Sequence, residues 1–80
     1  MARYHFHIDE CGTIITDDEG LKKPDMESVR HEALMSAREI MCGEMKRGKL
    51  CLSCHIEVQD EAGHVVYILP FKQAVEVTGI

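Results

Sequence analysis

The sequence predicts an α+β fold, a four-stranded, mainly antiparallel sheet in the order β-β-α-β-β with a short C-terminal helix and one long helix packed on one face. Three observations predict it. Residues 3–9 and 52–59 alternate apolar and polar with the two-residue period of a half-buried strand. Residues 26–45 instead carry apolar side chains every three or four positions, as an amphipathic helix does. Acid- and glycine-rich clusters at 9–12, 17–20 and 60–63 punctuate the chain where strands must turn. At 80 residues the chain makes one domain, 1–80, because a chain this short closes only about 60% of its unfolded surface into a single core.

In the first strand Tyr4, Phe6 and Ile8 point one way and Arg3, His5, His7 and Asp9 the other. Gly12, free to take positive φ, turns the chain into β-branched Thr13-Ile14-Ile15-Thr16, giving a hairpin. Asp17-Asp18-Glu19-Gly20 ends that strand and leads to Pro24-Asp25. Asp25 is an N-cap residue and Glu27 suits the positive end of the helix dipole. The stripe Val29, Ala33, Leu34, Ala37, Ile40, Met41 and Met45 then runs along about five turns, with Arg30 pointing toward it. Lys46, Arg47 and Lys49 complement the negative end, and Gly48 supplies a left-handed stop. The third strand sets Leu52, Cys54, Ile56 and Val58 against Ser53, His55, Glu57 and Gln59. After the turn at 60–63, residues 64–69 return as a fourth strand, Pro70 stops it, and the chain ends in one or two helical turns.

Composition narrows the function classes. Nine Lys and Arg against fourteen Asp and Glu give a net charge of −5, which opposes the phosphate contacts that nucleic-acid binding needs. No segment reaches the roughly 18 apolar residues of a membrane span, and the start lacks the apolar stretch of a secretory signal, so a cytoplasmic chain is expected. In such a reducing compartment Cys11, Cys42, Cys51 and Cys54 are expected as free thiols.

The residues also carry a resemblance. Arg-Tyr-His-Phe-His at 3–7, Asp-Glu-Gly at 18–20, Pro-Asp at 24–25, Glu32-Ala33-Leu34, Ala37-Arg38-Glu39, Ile56-Glu57-Val58, Asp60-Glu61, Gly63, Leu69-Pro70-Phe71 and Ala74-Val75 form one pattern over nearly the whole chain. It resembles a family of short proteins from rhizobia and related α-proteobacteria that is catalogued as a domain of unknown function. The resemblance implies no activity, and the family pattern does not require cysteines at positions 51 and 54. A looser likeness of topology is to the N-terminal domain of HicB-type antitoxins, where a hairpin leads to an amphipathic helix and a further strand. The likeness transfers no function, and this chain has no basic segment of the kind many such antitoxins append.

One helix covers one sheet face and leaves the other open. His5, His7, Ile15, His55, Glu57, Val66 and Ile68 are expected on that open face, a mixed surface suited to a second copy or another protein partner. A small non-catalytic binding module follows, with no catalytic residue, metal or cofactor assigned. The competing reading is metal or thiol redox chemistry at Cys51, Cys54 and nearby histidines. Cys51-Leu52-Ser53-Cys54-His55 spells the C-x-x-C-H of haem c attachment, but that motif opens a helix, whereas here it enters an alternating strand. On a strand residues 51 and 54 face opposite ways, so they converge only if Cys51 still lies in a turn. Asp9, Glu10, Asp17, Asp18 and Glu19 fit no calcium-loop spacing and read as turn formers.

Overall fold

A computed structural model describes residues 1–79, and its architecture is the expected one with a fifth strand added. The elements are β1 (Ala2–Glu10), β2 (Thr13–Ile15), β3 (Leu21–Lys23), α1 (Met26–Lys46), β4 (His55–Gln59) and β5 (Val65–Pro70), then a single 3-10 turn at Phe71–Gln73. The antiparallel sheet runs β2-β1-β4-β5, while β3 pairs with the other end of β1, Ala2 opposite Lys23 and Tyr4 opposite Leu21. The addition has a simple cause: a three-residue strand bearing two lysines is too short and polar to alternate legibly, yet suits a charged sheet edge.

The first hairpin turns on Cys11 and Gly12, at φ 51° and 92°. Two successive positive φ values between the paired Glu10 and Thr13 define a type I′ turn, whose twist matches the flanking strands. Gly20 is required for another reason. At φ 71° a Cβ there would stand 2.7 Å from the Tyr4 carbonyl oxygen.

Helix α1 starts and stops as its sequence dictates. Asp25, extended at φ −158°, accepts the Ser28 N–H at 2.8 Å. At the other end Lys49 N–H donates to Glu44 O and Gly48 N–H to Met45 O, a Schellman pair with Gly48 left-handed at φ 76°. Val29, Ala33, Ala37 and Met41, spaced by four, bury one face against Phe6, Ile56, Val58 and Leu69, while Phe71 and Ala74 close the far end. The two alanines, fully buried, let the helix lie close to the sheet. Arg38 Nε ties α1 to the C-terminal segment through the Ala74 carbonyl at 2.8 Å.

Three local expectations are corrected. Met45 is 64% exposed and Arg30 also lies in solvent, because the buried line passes from Met41 to Glu44 instead. Residues 52–54 are not strand but part of the connection from α1, and β4 begins only at His55. Ile15 pairs with Ile8, so it belongs to the helix side of the sheet, and Ile14, opposite Asp9, takes the outer face in its place.

Candidate functional site

Two arrangements stand out from the scaffold. The first is the outer sheet face. Register puts His7 opposite Glu57 and Asp9 opposite His55 across β1 and β4, with Ile68 next to Glu57 on β5. Of the residues expected there, His5, His7, His55, Glu57, Val66 and Ile68 share this face and Ile15 does not. A bulge at Val58/Gln59 adds Val65 to Val66 on the same side. The result is an apolar strip along β5, with Ile68 50%, Val65 49% and Val66 36% exposed.

Its polar half is ordered by Asp17. The Phe6 N–H, which no strand partner takes on that edge, donates to Asp17 Oδ2 at 3.0 Å, and Gly20 N–H donates to Oδ1 at 3.1 Å. His5 Nδ1 donates to the Asp17 carbonyl at 2.8 Å, whereas His7 Nδ1 accepts the Asp17 N–H at 3.0 Å, so the two imidazoles stack nearly parallel with opposite tautomers. Burial alone would raise the Asp17 carboxyl, but the N–H groups of Phe6 and Gly20, then the positive charge His5 and His7 carry once protonated at acid pH, hold it below its ordinary 3.8. A carboxyl whose folded pKa is depressed adds stability above its unfolded value and loses that contribution as pH falls through the folded one. Asp17→Asn is therefore expected to lower stability near neutral pH by about 1–2 kcal/mol and to flatten the loss of stability below pH 3.8, read by urea unfolding at several pH values.

The second arrangement is a cluster of sulfur. Cys11 at the hairpin tip, Cys51 in the connection and Cys54 just before β4 bring their sulfur atoms within 4.8 Å of one another. The Cys11 and Cys51 sulfurs are in contact in the position of a disulfide, which corrects the expectation of four free thiols to Cys42 and Cys54 among the described residues, and the Cys54 sulfur lies 3.7 Å from that of Cys11. Cys54 is buried, its thiol pushed up by desolvation and by the charges of Glu44, Glu10 and Asp9, against the opposing pull of the Cys11 N–H. Cys42 stands apart, exposed on α1. Among the described residues no histidine joins the group. His55 instead points its Nε2 at Asp9 Oδ2, 3.8 Å away, and the C-x-x-C-H segment opens no helix.

The expectation for Cys51 and Cys54 missed Cys11. Its signal lay in the strand register: with Asp9 opposite His55, the residues just beyond, Cys11 and Cys54, must meet at the same end of the β1–β4 pair. Separately, an open, mostly apolar groove of about 620 Å³ runs between Met41, Met45 and Leu50 and the segment 75–78. Among the described residues no helix is long and apolar enough to cross a membrane.

Fold and surface define a small two-layer α+β module with one helix on an antiparallel sheet. The chain belongs to the family described as domain of unknown function DUF6894, which matches residues 3–72. No curated protein and no solved structure matches it.

Proposed function

We propose that the protein is a non-catalytic binding module whose outer sheet face receives a second copy of the same chain. The observation that carries this reading is the exposed strip Val65, Val66 and Ile68 beside a polar half of both signs. Apolar surface gathered on one face of a small domain favours association, and a two-fold interface requires self-complementarity. The register supports this reading. An axis running along the strands between β1 and β4 sets His7 of one copy over Glu57 of the other and Asp9 over His55, each pairing occurring twice.

Light scattering tests it. The wild-type chain is expected at twice 9.1 kDa and Ile68→Asp at 9.1 kDa, with unchanged circular dichroism because Ile68 is half exposed. A monomer in both cases removes the reading. A second reading, metal or thiol chemistry at Cys51 and Cys54, is favoured by the sulfur cluster, with Cys11 in place of the histidine.

A further inference from the structure

We propose that Cys11, Cys51 and Cys54 together hold one zinc ion as thiolates, leaving its fourth position to solvent. Four independent features of the chain converge on this site.

The first is spacing. Two thiolates on a tetrahedral zinc, each about 2.3 Å from the metal, lie about 3.8 Å apart. Cys11 and Cys54 are 3.7 Å apart already, and the Cys51 sulfur, which touches that of Cys11, withdraws to the same spacing once the pair is reduced. The second is the backbone. The Cα atoms of Cys11 and Cys51 are separated by 7.6 Å, beyond the roughly 7 Å that a disulfide bridges without backbone movement, whereas two ligands of one ion stand farther apart by the width of that ion.

The third feature is the turn. Cys11 holds φ 51° at a type I′ position where asparagine or glycine costs less, so its side chain is kept against a local conformational preference. What the turn gains from cysteine is a sulfur aimed at the other two. The fourth is charge. Glu44 is more than nine-tenths buried, and its Oε1 has no hydrogen-bond partner among the described residues. A buried carboxylate without a partner is costly, and a cation bound nearby offsets that cost.

Thiolate-rich sites select zinc among the hard and soft divalent ions available to a cell, and the spacing Cys51-x-x-Cys54 supplies two ligands from one short loop. Binding transfers no electrons: three thiols release three protons to solvent and three sulfur–metal bonds form.

The test uses the full chain, reduced and stripped of metal, titrated with zinc against a chromophoric chelator and with cobalt as a spectroscopic substitute. One zinc per chain is expected, with a cobalt spectrum showing sulfur-to-metal charge transfer. Cys54→Ser is expected to weaken binding by more than the roughly 100-fold that outer-shell losses cost. Since Cys54 is buried and its loss can disturb the core, Cys11→Asn is the decisive variant. Asparagine suits the turn, so this protein is expected to stay folded, at least as stable without metal, and to lose zinc affinity to the same degree. Cys42→Ser is expected to bind as wild type. No zinc taken up by the reduced wild-type chain, or undiminished affinity in Cys11→Asn, overturns the proposal.

Discussion

Phe71→Ala is expected to lower the unfolding free energy by about 3–5 kcal/mol, the largest loss for any single truncation in this core. Phe71 is fully buried, and it is the largest side chain in that state. It follows Pro70, which ends β5, so the ring is delivered under the end of the sheet by the first residue of the 3-10 turn. Its backbone is fixed as well, since Phe71 N–H donates to the Cys54 carbonyl at 2.9 Å. A cavity opened there has walls held by hydrogen bonds and relaxes little, which places the cost at the upper end of the range. A chain of this size has a total stability of about 4–12 kcal/mol, so the variant is expected to be partly or wholly unfolded at 25 °C. Urea unfolding checks it, with Phe71→Leu as the milder control. A loss below about 1 kcal/mol would mean that the C-terminal turn is not part of the core.

The opposite sign is expected at Glu44. Glu44→Leu should raise the stability of the reduced, metal-free chain by about 1–3 kcal/mol, because it replaces a buried, unpartnered carboxylate oxygen with apolar volume on the face of α1 that already carries Met41. The backbone of Glu44 is unaffected by the change: its carbonyl continues to accept the Lys49 N–H that closes the helix. Urea unfolding of the two proteins under a chelator measures the difference. Lower stability in the leucine variant would show that the carboxylate makes a compensating contact on which the fold depends.

Much of the fold was legible because its signals are local. Alternation marks β1, four-residue spacing marks α1, and Asp25 and Gly48 mark its ends. Where the structure differs from the local pattern, a non-local contact decides. Ile15 changed faces because pairing with Ile8 fixes its side, and that register is set by a two-residue turn in which Cys11 as well as Gly12 adopts positive φ. β3 exists only because β1 is there to receive it. The outer face was therefore readable on β1, β4 and β5, where the sheet period is strict, and unreadable on β2. The sulfur cluster was half visible: Cys51 and Cys54 announce themselves by spacing, whereas Cys11 lies 40 residues from Cys51 and becomes their neighbour only through the β1–β4 pairing. Asp17 was read as a turn former, which it is, but its second role depends on an edge of β1 that neither β2 nor β3 reaches.

Strand β5 forms the rim of the sheet, with the bulge near one end and Pro70, which has no N–H, at the other. Between them only a short stretch of regular backbone is left to template an incoming ribbon, and both interruptions discourage endless rim-to-rim growth. If copies of the chain associate through the outer face as proposed, they stack flat surfaces, a mode that closes after two instead of extending along the rim.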